Sequence, residues 1–103
     1  MINTLKKIFG IGPSADYKEL VKNGAQIIDV RTKSEYASGH IKGSINIPLN
    51  ELSLHAKKIK KDTVIITCCG SGMRSASAKG IIKQMGHAKV HNGGGWMSLN
   101  QKI

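Results

Sequence analysis

Short runs of apolar residues alternate along this chain with stretches in which apolar residues recur every three or four positions. Short apolar runs rich in β-branched residues are typical of strands covered on both faces of a sheet. A spacing of three or four places side chains on one face of a helix. The pattern predicts strands at residues 25–30, 45–47, 63–68 and 89–91. It predicts a first helix with its N-cap at Ser14 and its end at Gly24. Further helices are predicted at residues 33–38, 50–58, 75–85 and 96–100.

Strands that alternate with helices predict an α/β fold, in which a central, mostly parallel sheet of about five short strands is flanked by helices on both faces. Residues 1–13 contain structure-breaking glycines and a proline, and we interpret them as a lead-in segment of a single domain spanning residues 1–103. The glycines at 93–95 predict a flexible turn. Ligands of such sheets bind beyond the carboxyl ends of the strands, and the segment 69–74 occupies that position.

Composition and charge narrow the classes of function. The 103 residues are 40% apolar and carry a formal charge of +10, which suits a globular domain that attracts small anions. We interpret the basic run at 57–61 as a solvated helix end, and the few aromatic residues argue against nucleic-acid binding. No apolar run is long enough to span a membrane, and no signal-like segment is visible, so we expect a cytoplasmic protein. We also expect a monomer, because no obligate interface is indicated.

The two cysteines of the chain, Cys68 and Cys69, are neighbours. A disulfide between adjacent residues is strained and connects nothing distant, and no Cys or His pair follows at the spacing of a zinc site. We therefore expect no metal site. A reactive thiol in a reducing compartment is the simpler interpretation.

The segment TCCGSGMRS, residues 67–75, carries the main chemical signal. Gly70 and Gly72 allow the backbone to curl, so that successive N–H groups point at one centre and form an anion site. The helix that follows adds the positive end of its dipole. Such surroundings lower cysteine pKa values from about 8.5 to about 3.5–7.5, so the segment is predicted to hold a thiolate nucleophile. Arg74 lies at the end of this loop. Its guanidinium could hold loop carbonyl groups or an acidic side chain, or assist the binding of an anionic substrate.

The position of Arg74 allows two assignments of the nucleophile. Five residues separate it from Cys68, as in cysteine-based phosphatases, whereas four separate it from Cys69, which suits a smaller group on the thiol. Side chains alternate along a strand, so the two thiols should face opposite ways. The spacing alone leaves both assignments open.

Three separated blocks of sequence resemble the single-domain rhodaneses, a family of sulfurtransferases. The first combines DVR at 29–31, EY at 35–36 and GHIKGSINIP at 39–48, and it is similar to the family's DVR, E-aromatic and GHI-x-G-[AS]-x-N-[IV]-P. The second is CGSGMRS at 69–75, similar to the family's active loop C-x-x-G-x-R-S. The third is GGW at 94–96, similar to the residues that follow the family's last strand. Together the blocks extend over most of the chain.

This resemblance implies a rhodanese-like fold and persulfide chemistry without a cofactor. Cys69 would take sulfur from a small anionic donor such as thiosulfate, and cyanide, a thiol or a sulfur-accepting protein would receive it. Asp29, at the end of a neighbouring strand, could pair with Arg31 or Arg74 and support the site. The active-site loop implied by the resemblance consists of Gly70, Ser71, Gly72, Met73, Arg74 and Ser75.

Two alternatives remain open from the sequence. The domain could be a persulfide carrier or a binding module for a partner protein, which would use the same chemistry with a different acceptor. It could also be a phosphatase or arsenate reductase that uses Cys68 and Arg74, because some phosphatases share the rhodanese fold with a loop one residue longer. Against this, Thr67 stands where such loops usually have histidine, and Ser71 where many have glycine.

Overall fold

The computed structural model of this chain describes residues 15–103, so the lead-in predicted at 1–13 and the N-cap predicted at Ser14 lie outside the described residues. The first described helix has Asp16 as its N-cap, and its carboxylate accepts a hydrogen bond from the Glu19 N–H at 3.1 Å. No helix within residues 15–103 is long and apolar enough to cross a membrane. The regular elements are α1 (Tyr17–Lys22), β1 (Gln26–Asp29), α2 (Lys33–Ala37), β2 (Ile45–Asn46), two 3-10 helices (Leu49–Glu51 and Ala56–Lys58), β3 (Ile65–Cys69), α3 (Met73–Gln84), β4 (Val90–Gly95) and α4 (Trp96–Gln101).

The strands form one parallel sheet in the order β2-β1-β3-β4, so β3 is a central strand. The expectation of an α/β fold with a parallel sheet is confirmed, and the sheet has four strands within residues 15–103. Because all strands run the same way, the carboxyl ends of β1, β3 and β4 meet at one edge. The segment that follows Cys69 leaves the sheet at that edge.

Two apolar clusters cover the two faces of the sheet, as the predicted helices on both faces require. Consecutive residues of a strand enter different clusters, because side chains alternate along a strand. Ile65 belongs to one cluster and Ile66 to the other, and Cys69 and Cys68 are divided in the same way. The first cluster also contains Ala78 and Ile82 of α3, whereas the second contains Leu99 of α4.

The helix predicted over residues 50–58 is wrong, since this segment forms two short 3-10 helices joined by turns. A continuous helix would have to bury Ala56 together with Leu49 and Leu52, and one methyl group adds little apolar contact. Leu52 is buried as predicted, but Ala56 is exposed and Leu54 keeps 76% of its surface accessible. Asn, Ser and His in the segment are weak helix formers that favour turns.

The flexible turn predicted at Gly93–Gly95 is also wrong, because these glycines continue β4. A Cβ atom at Gly93 would lie 2.8 Å from Ile66 Cγ2, Leu99 Cδ2 and the Thr67 carbonyl oxygen. A Cβ at Gly95 would lie 2.9 Å from the Gly70 carbonyl oxygen. The glycines therefore serve close packing of β4 against β3 and the loop after it.

Candidate active site

The loop between β3 and α3 is shorter than the sequence suggested, because α3 begins at Met73 and not near Ser75. Cys69 is the last residue of β3, and Gly72 is the N-cap of α3 with a φ of 108°. Only glycine adopts this left-handed conformation without strain. The early start of the helix brings its first turn directly against the Cys69 side chain.

Hydrogen-bond donors of the loop and helix converge on the sulfur of Cys69. Its Sγ accepts from the Gly72 N–H at 2.9 Å and from the Ser75 N–H at 3.3 Å, and the Ser75 hydroxyl lies 3.4 Å away. Burial of the thiol raises its pKa, but hydrogen bonds from Ser75, Gly72 and Ser71 outweigh that effect, so the pKa of Cys69 is lowered. The arrangement favours a thiolate at the amino end of α3.

Ser75 is held beneath the loop by Asn92 of β4. The Ser75 Oγ lies 2.6 Å from Asn92 Oδ1 and 3.0 Å from the Gly72 carbonyl oxygen, either of which can accept its proton. Asn92 also donates to the Gly72 carbonyl at 3.3 Å and accepts from the Gly94 N–H at 2.9 Å. Sequence reasoning did not single out Asn92. The available signal was a polar residue inside the last strand, next to the glycine run.

Arg74 pairs with Glu35, and not with Asp29. The guanidinium donates to the two carboxylate oxygens at 2.7 and 3.0 Å. Glu35 also completes a capping box with Thr32, the N-cap of α2. Hydrogen bonding to Arg74, followed by that to Thr32, lowers the pKa of Glu35 to about 2. The sequence includes Glu35 in the first rhodanese-like block but does not assign it to the site, because its partner lies 39 positions away.

Asp29 and Arg31 form a separate, buried ion pair at the end of β1. Arg31 donates from Nε and Nη2 to the carboxylate at 3.0 and 2.7 Å, and from Nη2 to the Gly39 carbonyl at 2.7 Å. Its guanidinium lies 4.8 Å from the centre of the Trp96 ring. The pair thus connects β1, the segment after α2 and α4, and it supports the sheet edge on which the loop stands.

Cys68 lies in different surroundings from Cys69. Its side chain is fully buried in the cluster that contains Ile66 and Leu99. Burial, and next the charge of Asp29, raise the pKa of Cys68 to about 12. Cys68 therefore remains a protonated thiol at neutral pH, as expected for a packing residue.

The outer surface of the loop is formed by small or apolar residues. Gly70 and Ser71 are exposed, and Met73 keeps 81% of its surface accessible, whereas Cys69 is fully buried beneath them. The Cys69 side chain therefore has no solvent-accessible surface, although its loop neighbours do. Within the described residues, no group of three or more His, Cys, Asp or Glu side chains is placed to hold a metal ion.

A comparison with known families gives this geometry a context. The family model for the rhodanese-like domain matches residues 14–102. This chain belongs to the rhodanese-like domain family. The resemblance drawn from the three sequence blocks is therefore confirmed, and the match covers nearly all of the chain.

Individual rhodanese relatives agree with the family match. The chain is 42% identical over 71 residues to thiosulfate sulfurtransferase PspE of Escherichia coli K12, covering 66% of this chain and 67% of PspE. It is 32% identical over 86 residues to thiosulfate sulfurtransferase GlpE of Pseudomonas paraeruginosa, covering 84% of this chain and 78% of GlpE. A crystal structure of a rhodanese-related protein from Thermoplasma volcanium superimposes with a TM-score of 0.72 at 35% identity, covering 85% and 87% of the two chains. The rhodanese-like fold and the sulfurtransferase class are thus supported.

Proposed function

We propose that this protein is a sulfurtransferase that moves a sulfane sulfur from an anionic donor such as thiosulfate to a thiophilic acceptor through a persulfide on Cys69. The observation that carries the proposal is the convergence of the Gly72 and Ser75 N–H groups on the Cys69 sulfur at the amino end of α3. Those donors stabilise negative charge on sulfur, which both the attacking thiolate and the persulfide carry. Relatives named thiosulfate sulfurtransferase point to the same donor.

In the first half-reaction, a lone pair of the Cys69 thiolate attacks the outer sulfur of thiosulfate. A new S–S bond forms, the S–S bond of the donor breaks, and sulfite leaves with the bonding electron pair. The Cys69 persulfide keeps one negative charge on its terminal sulfur. The N–H groups that line the loop, among them those of Ser71 and Gly72, are suited to hold that charge.

In the second half-reaction, a nucleophilic acceptor attacks the terminal sulfur of the persulfide. Cyanide would leave as thiocyanate, and a thiolate would leave as a persulfide, while the electron pair of the broken S–S bond returns to Cys69 as thiolate. The acceptor could equally be the thiol of a partner protein, which would make the domain a persulfide carrier. The exposed surface of Gly70, Ser71 and Met73 gives small and large acceptors the same approach.

The remaining site residues would shape the loop. Arg74 pairs with Glu35 beside the loop, and Asn92 donates a hydrogen bond to the Gly72 carbonyl. Asp29 and Arg31 hold the neighbouring end of β1. No step of the reaction requires a metal or an organic cofactor.

The phosphatase alternative fits this geometry poorly. It requires Cys68 to act as the nucleophile, but Cys68 is fully buried and its pKa is raised to about 12. It also requires Arg74 to clamp a phosphate, whereas Arg74 is engaged by Glu35 at 2.7 Å.

A paired substitution tests the proposed function. We expect Cys69→Ser to abolish sulfur transfer from thiosulfate to cyanide, because the hydroxyl forms no persulfide. We expect Cys68→Ser to retain most of the activity once its fold has been verified by thermal denaturation. Mass spectrometry after incubation with thiosulfate should find one added sulfur on Cys69.

Cys68→Ser serves as the matched control, since it makes the same atomic change at the adjacent position. Loss of activity in Cys68→Ser alone, or a wild-type protein that gains no sulfur, would contradict the proposal. Hydrolysis of an aryl phosphate that depends on Cys68 would favour the phosphatase alternative.

A further inference from the structure

Arg74 is the cationic side chain of the segment 67–75, and its charge is already engaged. Both terminal nitrogens of its guanidinium donate to Glu35, in a two-bond arrangement at 2.7 and 3.0 Å. Charge-assisted pairs with this geometry are directional and well ordered. The catalytic loop therefore presents backbone N–H groups to a donor, but not a free positive side chain.

Glu35 is itself fixed by α2. Its Oε1 accepts from the Thr32 N–H at 2.9 Å and from the Thr32 hydroxyl at 3.1 Å. These bonds hold the carboxylate at the start of α2, where it meets the Arg74 guanidinium. The position of the amino end of α2 thus determines the position of the Arg74 guanidinium.

The guanidinium nevertheless lies beside the catalytic loop. A Cβ atom added at Gly70 would lie 3.2 Å from Arg74 Nη2, so this nitrogen is close to the residue that follows Cys69. The Arg74 side chain keeps 39% of its surface accessible, which leaves it room to reorient. The guanidinium is thus a neighbour of the loop that its ion pair keeps turned to Glu35.

We infer that Glu35 determines donor specificity by holding Arg74 away from the donor. As long as the ion pair is intact, the Glu35 carboxylate offsets most of the guanidinium charge, so Arg74 adds little attraction for a dianion. The affinity for a doubly charged donor such as thiosulfate is then weaker than it would be if Arg74 were free to contact the donor. This inference rests on the proposed function, because it concerns the donor step at Cys69.

The test variant is Glu35→Gln, which removes the charge and retains the shape of the side chain. Its amide oxygen can still accept from the Thr32 N–H, so the cap of α2 is preserved. We expect the KM for thiosulfate to fall roughly 5-fold while kcat changes less than about 2-fold, because released Arg74 strengthens binding of the dianion. The KM for methanethiosulfonate, a donor with one negative charge, should fall less.

Two further variants isolate the cause. Glu19→Gln makes the same charge change at an exposed position of α1 and should leave both KM values unchanged. The double variant E35Q/R74Q should lose the gain in thiosulfate affinity that E35Q shows, since the gain acts through Arg74. Exposed ion pairs contribute little to stability, so E35Q is expected to fold, and Glu35→Ala provides a second variant with the same predicted direction.

The outcomes separate this inference from the proposed function. An unchanged thiosulfate KM in E35Q, or an equal loss of kcat/KM for both donors with a lower melting temperature, overturns the inference and assigns Glu35 a structural role alone. If wild-type Cys69 still gains sulfur from thiosulfate in those cases, the proposed function stands. If wild-type Cys69 gains none, both are overturned.

Discussion

Cys68 and Cys69 share a strand but differ in pKa because the strand directs their side chains into different surroundings. Cys68 has apolar neighbours and the charge of Asp29, both of which oppose ionisation. Cys69 meets the N–H groups at the start of α3, which favour it. The pKa of each thiol thus follows from the face of the sheet that it occupies and the groups that it meets there.

Ser75 offers a test of this account at the level of one hydroxyl group. In Ser75→Ala the Cys69 thiolate loses the hydroxyl at 3.4 Å, and the Gly72 carbonyl loses a partner, so the pKa of Cys69 should rise. The rate of Cys69 alkylation by iodoacetamide increases as the pH passes upward through that pKa. The midpoint of its pH profile should therefore move to higher pH.

Ser77→Ala, at an exposed position of α3, is the matched control and should leave the alkylation midpoint in place. If Ser75→Ala and the wild type have the same midpoint, the backbone N–H groups alone lower the pKa of Cys69.

At the scale of secondary structure, β4 determines how closely the loop after β3 can lie against the sheet. Its register with β3 is irregular between Thr67 and Cys69, and Cys69 is paired with Gly95. Gly93 and Gly95 have no side chain at the two places where a Cβ would meet the backbone of β3 or the loop. The shape of the loop therefore depends on a strand that contributes no reactive group.

Gly93→Ala should destabilise the protein by roughly 1–3 kcal/mol, because the new methyl group would overlap Ile66, Leu99 and the Thr67 carbonyl at 2.8 Å. The free energy of unfolding in urea measures the effect. Gly80→Ala is the control, since no atom lies within 4 Å of its added Cβ on α3, and it should stabilise by about 0.5–1 kcal/mol. Equal effects of the two substitutions would contradict the packing role of Gly93.

The order of elements and the loop after β3 could be predicted from sequence, because apolar period and glycine position are local signals. The strand alternation that separates Cys68 from Cys69 is also local. Glu35 and Asn92 could not be assigned to the site in this way, since their contacts join residues 39 and 17 positions apart. The prediction of a flexible turn at the glycines of β4 is wrong because glycine is compatible with both a flexible turn and a tightly packed strand. Which of the two forms depends on contacts with residues that are distant in sequence.

At the scale of the whole molecule, the net charge of +10 gives the protein a positive field. Such a field raises the local concentration of anions near the surface, and salt screens it over a Debye length of about 10 Å at 0.1 M ionic strength. In the proposed reaction, the positive field and the engaged Arg74 would act on the donor in different ways. The first concerns its approach, whereas the second concerns the contacts that it makes at the loop.

We expect kcat/KM for thiosulfate to fall roughly 3- to 10-fold as the NaCl concentration rises from about 20 to about 300 mM. Steady-state kinetics at constant pH measure this change. Alkylation of Cys69 by iodoacetamide, which is uncharged, serves as the reference and should change little. An equal decline of both rates would indicate a salt effect on the loop itself and not on the approach of the donor.

The opposite orientation of the two cysteines also bears on oxidative damage. Peroxide converts a thiolate into a sulfenic acid, which a neighbouring thiol can rescue by forming a disulfide before irreversible oxidation. Cys68 is the neighbouring cysteine in sequence, but its thiol lies on the opposite face of the sheet and is not placed to form this disulfide. An oxidised Cys69 must therefore be restored by a thiol from solution, so the survival of the protein under peroxide depends on the thiol supply of its surroundings.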